Sequence, residues 1–136
     1  LIDTGLLYTL SFMDTDQDEF FYKSLILDKL HLNEGMFAEN YISQALKNNG
    51  KKLFYYEKRD KNTHRTIIEI DFLTIQNRKI TPLEVKSGDD ITLKSLKKFK
   101  DTFKNTVNNG IVLYDGDIKI VDDILYLPLF LIDYLK

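Results

Sequence analysis

The chain has 136 residues, a net charge of −2 and no cysteine, which gives one domain's worth of polypeptide with one substantial core. Disulfides and thiolate metal sites are excluded, and no apolar run approaches the length of a membrane span. No membrane partner is therefore expected, and the absence of a recognisable signal peptide makes a cytoplasmic location the expectation.

The charge is unevenly spread. Residues 1–46 hold 2 basic and 8 acidic side chains, a balance of −6, and residues 105–136 hold 2 and 5, a balance of −3. Residues 47–104 hold 15 and 8, a balance of +7. A basic middle segment suits a polyanionic partner, and it equally suits lysine-rich loops that are merely solvated.

In chain order, residues 1–12 read as helical or irregular, with Leu6, Leu7 and Leu10 as the apolar set. Asp14 to Glu19 reads as an acidic linker, without the glycine and distal glutamate of a calcium loop. Phe20 to Leu30 reads as a helix with Phe21, Leu25 and Ile26 at helical spacing. Asn33 can cap a second helix, which runs to about Asn48 and stops at Asn49-Gly50. Its apolar band is Phe37, Ala38, Tyr41, Ile42, Ala45 and Leu46, and Glu39 falls at the edge of that band. Leu53 to Tyr56 reads as a short strand, and Glu57 to Thr63 as a polar loop. The two histidines, His31 and His64, form no ligand cluster.

Arg65 to Gly88 is the central stretch, read as two apolar, β-branched strands joined at Asn77-Arg78. Folding there sets position i opposite position 155 − i. Asp71 then faces Glu84, and Glu69 faces Lys86. Side chains alternate across a strand, so these four share one face, while Ile70, Phe72, Leu83 and Val85 share the other. Opposed carboxylates on a half-buried sheet repel, which a hard divalent cation between them would relieve. The alternative is a solvated polar face with an ion pair between Glu69 and Lys86.

Beyond the hairpin, Ser87 to Asp90 turns the chain into a helix from about Thr92 to Thr106. Leu93, Leu96, Phe99 and Phe103 form its buried stripe, with Lys94, Lys97, Lys98 and Lys104 on the other faces. Such a helix can lie along a phosphate backbone, or simply be amphipathic. Ile111 to Tyr114 is a continuous apolar run, the pattern of a strand covered on both faces. A short strand to Val121 follows, and Ile124 to Leu127 leads into a last helix started by Pro128. There is no repeat, no glycine-rich phosphate loop and no Walker motif, so ATP hydrolysis is not expected within these residues.

Asp71 followed by Glu84-Val85-Lys86 resembles the PD-(D/E)XK motif of restriction-endonuclease-like nucleases. Gly35 to Glu39 is similar to the helical glutamate motif that precedes the hairpin in RecB-like and Holliday-junction-resolvase-like members. More narrowly, four ordered blocks resemble the uncharacterised C-terminal domain attached to many prokaryotic AAA+ ATPases. They are Asp3 to Leu6, Phe37 to Asn40, Glu69 to Phe72, and Pro82 to Gly88.

The resemblance implies an α/β fold, a restriction-endonuclease-like mixed central β-sheet flanked by α-helices. The expected strands lie near 53–57, 65–76, 79–86, 110–115 and 117–121. It implies one domain over 1–136, with a helical lead-in (1–32) and a nuclease-like core (33–136), cut from a longer chain whose N-terminal part is the ATPase. The implied function is metal-dependent hydrolysis of phosphodiester bonds in DNA, or RNA. Asp71 and Glu84 would bind Mg2+ or Mn2+ with the Val85 carbonyl, and Glu39 would bind it directly or through water. Lys86 would position the attacking water, and Lys94, Lys97 and Lys98 would meet the nucleic acid. The glutamine-and-tyrosine motif that some RecB-like nucleases carry on the lysine-bearing helix is absent. The alternative is a non-catalytic nucleic-acid- or protein-docking module that serves the ATPase.

Overall fold

The computed structural model describes residues 19–88 and 91–135, with side chains from residue 34 onward. The expectations for residues 1–12, the acidic segment before Glu19, the motif at Asp3 to Leu6, and the packing of Phe21, Leu25 and Ile26 lie outside this description. So do Asp89 and Asp90.

Helix α1 spans Glu19–Asn48 as one continuous element. The expected break before Asn33 does not occur. No proline interrupts the run, and its only glycine, Gly35, costs about 1 kcal/mol relative to alanine, too little to end a helix packed on a sheet. Its C-terminus closes as expected: Gly50 has φ +72°, with Lys51 N–H donating to the Leu46 carbonyl and Gly50 N–H to that of Lys47. This double bond pattern satisfies carbonyls that the last turn would otherwise orphan.

Six strands follow, interrupted by one helix. They are β1 (Phe54–Arg59), β2 (Thr66–Gln76), β3 (Lys79–Lys86), α2 (Lys94–Thr102), β4 (Ile111–Tyr114), β5 (Lys119–Val121) and β6 (Ile124–Pro128). A 3₁₀ helix, Leu129–Tyr134, ends the described chain. The strands form one mixed sheet in the order β1-β2-β3-β4-β6-β5, so the protein is α/β. β1, β2 and β3 are antiparallel neighbours, β3-β4 and β4-β6 are parallel, and β5 returns antiparallel to β6.

Two apolar layers hold the sheet between its helices. On one face Ile42, Ala45 and Leu46 of α1 pack with Leu83, Val85, Ile111, Leu113 and Ile132. On the other, Leu96 and Phe99 of α2 pack with Ile68, Ile70, Val112, Tyr114 and Ile124. β4 is buried along its whole length, as its unbroken apolar run predicts for a strand covered on both sides.

Two expectations near the C-terminus change. Ile124–Pro128 is a sixth strand, because Asp122 (φ +51°) and Asp123 (φ +62°) form a tight turn that returns the chain against β5. The segment after Pro128 is a short 3₁₀ helix. The lysine-bearing helix is also shorter than the expected 92–106.

Candidate active site

The β2-β3 hairpin turns at Asn77 (φ +52°) and Arg78 (φ +63°), the two positive values a two-residue turn of this kind requires. The expected register holds for five pairs, from Gln76–Lys79 to Phe72–Leu83. There the paired ladder stops, one pair short of Asp71 and Glu84. The Asp71 side chain takes over: its Oδ2 accepts the Val85 N–H at 2.7 Å.

An irregularity in β2 accompanies this change. Against β1, Phe54 pairs with Leu73 and Tyr56 with Ile70, so β2 uses one residue more than β1 between these pairs. The extra residue shifts the alternation. Phe72 packs on the α1 side with Leu83 and Val85, whereas Ile70 packs on the α2 side with Ile68 and Leu96. The expected grouping of Ile70 with Phe72, Leu83 and Val85 on one face is therefore corrected.

Glu84 sits on the buried strand β3 and is 3% exposed. Lys86 Nζ lies 2.8 Å from its Oε2. The ion pair considered from the sequence joined Lys86 to Glu69. The structure joins it to Glu84, because residues two apart on a strand share a face and the lysine stem is long enough to fold back. The other Glu84 oxygen, Oε1, is buried with no hydrogen-bond partner among the described residues. A buried carboxylate oxygen left unpaired is costly, and it marks a position where a cation or donor would be stabilised.

The electrostatics bind the cluster together. The Glu84 carboxyl is pushed up to about 7, first by burial and then by the neighbouring Asp71 charge, with Lys86 opposing both. Asp71 is raised by burial, against the Val85 hydrogen bond and Lys86. Glu39 is raised by burial and then by the charges of Asp71 and Glu69. For Lys86, burial works against the charge, but the hydrogen bond to Glu84 and the charges of Glu84, Asp71 and Glu39 outweigh it and hold the ammonium above its ordinary value. Glu39 on α1 thus reaches the field of the hairpin from the neighbouring helix, although its residue remains exposed.

The structure joins Asp71 to Val85 and Glu84 to Lys86, and it places Glu39 in the charge field of Asp71 and Lys86. It does not add the α2 lysines: the charges acting on the three carboxylates are those of Asp71, Glu69 and Lys86. Lys97 pairs instead with Asp122 at 3.2 Å, and Lys98 Nζ points to the Ile67 carbonyl at 3.5 Å. Lys94 is exposed at the start of α2. The helix is tied beside the site by Ser95, whose Oγ accepts the Glu69 N–H at 3.2 Å.

A cleft of about 300 Å³ adjoins the cluster where Ser87 and Gly88 follow Lys86, walled by Glu34 and Ala38 of α1, Asp115 and Leu129. A larger cleft of about 600 Å³ shares Ala38 and Asp115 with it and continues along Tyr41, Tyr114, Asp117 and Phe130. Asp115 was missed from the sequence. Its signal was its position just beyond the C-terminal end of a parallel strand, where ligands of open α/β sheets bind.

The oxygen donors and the orphaned Glu84 Oε1 fit a hard divalent cation. Among the described residues, no three Asp, Glu, His or Cys side chains are gathered closely enough to hold one by themselves.

Together these features define an α/β domain with a half-buried acidic cluster and a lysine at the end of its central hairpin. The chain belongs to the DUF4143 family, a domain of unknown function, whose profile matches residues 34–131. No curated protein and no solved structure matches the chain.

Proposed function

We propose that this is a metal-dependent nuclease domain of the PD-(D/E)XK type that hydrolyses phosphodiester bonds in DNA and lies C-terminal to an AAA+ ATPase. The observation that carries the reading is the Glu84 carboxylate. It is buried beside Asp71, its Oε2 is held by Lys86, and its Oε1 lacks a partner among the described residues. Folding a carboxylate into this position costs stability unless something cationic completes it.

In this reading Asp71 and Glu84 would hold Mg2+ or Mn2+, and Glu39 of α1 would meet it through water. When bound, the ion neutralises phosphate charge and acidifies water. Lys86 would direct its ammonium at the attacking water or the developing negative charge. The Val85 N–H fixes the Asp71 carboxylate, so that group is oriented before substrate arrives. A mixed sheet flanked by helices, with Glu39 of α1 in the charge field of Asp71 and Lys86, agrees with a restriction-endonuclease-like arrangement. The test is nicking of plasmid DNA by the full-length protein with ATP and manganese. Cleavage that disappears in Glu84→Ala supports the reading, and no cleavage of any nucleic acid ends it.

A second reading has its own observation. Lys86 already neutralises one Glu84 oxygen, and Asp71 already satisfies a backbone N–H. A domain that keeps these contacts for structure alone would be a docking module for nucleic acid or protein. It would show no metal-dependent stabilisation.

A further inference from the structure

We infer that edge strand β1 is the track along which a single-stranded segment of DNA reaches the acidic cluster, with Tyr55 as a stacking platform for an unpaired base. This rests on the nuclease reading above and names the form of its substrate.

β1 is the outermost strand of the sheet. It presents Tyr55 at 74% exposure and Phe54 at 53%, and aromatic rings so exposed on a sheet edge contribute nothing to the core. The segment that carries them is cationic in sequence. Residues 51–65 hold six basic and two acidic side chains, a balance of +4. Both acids are engaged locally. Glu57 Oε1 takes the Arg59 Nε–H at 2.6 Å, and Asp60 Oδ1 accepts the N–H groups of Asn62 and Thr63. A basic strip interleaved with aromatic rings offers phosphate contacts and base stacking at once, which is how sequence-tolerant single-strand binders work.

The strip is continuous with the site. Tyr56 pairs with Ile70 and Glu57 with Glu69, so β1 lies one strand from Asp71 and two from Glu84, about 10 Å at ordinary strand spacing. Glu69 acts by charge on both Arg59 and Glu84, which links the two surfaces. A duplex cannot use this strip well. Its bases are stacked on both faces, so it offers Tyr55 no unpaired base to meet.

The experiment is fluorescence anisotropy of the full-length protein with a labelled mixed-sequence oligodeoxynucleotide in EDTA, where no metal-dependent cleavage intervenes. The single strand is expected to bind more tightly than its duplex. Tyr55→Ala should weaken it about 5- to 100-fold, while Tyr55→Phe retains binding. Lys58→Ala should lower the salt slope by about 0.7. Tighter binding of the duplex, or unchanged affinity in a folded Tyr55→Ala variant, overturns the track. Tighter binding of the same sequence as RNA overturns the assignment to DNA. Tyr55-dependent binding without cleavage in manganese would sink the nuclease reading alone. Cleavage at limiting DNA that ignores Tyr55→Ala would sink the track alone.

Discussion

The Asp71 carboxylate stands in for a strand neighbour: its Oδ2 accepts the Val85 N–H at 2.7 Å at the point where paired β2-β3 register ends. Val85 is buried, so that N–H has no access to water as a substitute. Asp71→Ala should therefore cost about 1–3 kcal/mol, the penalty for a buried donor left unpaired. Asp71→Asn keeps an acceptor oxygen and should lose much less. Urea unfolding of both variants in EDTA checks this. Equal stability of Asp71→Ala and wild type would mean that the hydrogen bond contributes nothing.

Glu84 sets the pH response of the metal-free domain. Its folded pKa, about 7, lies above the ordinary value of 4.5 because burial and Asp71 disfavour its charge. A raised folded value means the folded state binds the proton more tightly. The contribution is thus fully present below pH 4.5 and is lost as pH rises through about 7. Asp71 and Glu39 are shifted in the same direction and add to this trend. Stability in EDTA should fall between pH 5 and 8 by an amount on the order of 3 kcal/mol from Glu84 alone. Glu84→Gln should flatten that fall. A pH-independent wild type would show that Lys86 fully compensates the buried charge.

Much of this arrangement was legible in the sequence because it depends on local rules. Asn77-Arg78 sets the turn, the turn sets the register, and period-two alternation puts Glu84 and Lys86 on one face. The unbroken run Ile111 to Tyr114 announced a fully covered strand. Failures occurred where local rules lose to context. The extra residue in β2 against β1 has no glycine to signal it, so the change of face between Ile70 and Phe72 was invisible. Ile124 to Leu127 is an apolar run too short for periodicity to classify, and its hairpin turn uses Asp122-Asp123 instead of a glycine pair. Asn33 resembles a cap but lies inside a helix, since a capping preference is a weak local signal and no proline stands before it in the helix to stop the run. The pairing of Lys86 with Glu84 over Glu69 depended on side-chain reach, which register alone does not give.

Lys97 and Lys94 make a graded test of the basic helix. Lys97 is tied to Asp122 at 3.2 Å, and both side chains are more than half exposed, so that pair contributes little to stability. Lys97→Ala should leave the melting temperature nearly unchanged. If α2 meets duplex DNA, each of Lys94→Ala and Lys98→Ala should lower the salt slope of binding by about 0.9. Asp122→Ala should strengthen binding by releasing Lys97 to phosphate. Slopes that ignore all three lysines would remove α2 from the nucleic-acid surface.

Lys86 separates a completed site from a broken one. With Lys86→Ala the Glu84 carboxylate stays buried and loses its partner, so the metal-free domain should lose roughly 1–2 kcal/mol at pH 8. That is less than for a fully buried pair, because the Lys86 side chain is 28% exposed. At pH 5 the loss should shrink, since Glu84 is then largely protonated. A divalent ion should restore what is lost, because it would supply the missing positive charge beside the Glu84 carboxylate. The manganese-induced rise in melting temperature should therefore be larger in Lys86→Ala than in wild type. A concentration of one hundred times Kd adds about 2.7 kcal/mol to either protein by mass action, so the difference reports a change in Kd. Glu84→Ala should show almost no rise, and DNA nicking should vanish in both variants for different reasons. Thermal melts with and without manganese at pH 5 and pH 8 read out all of this. A manganese response that is the same in Glu84→Ala as in wild type would place any bound ion elsewhere and refute the assignment of this carboxylate.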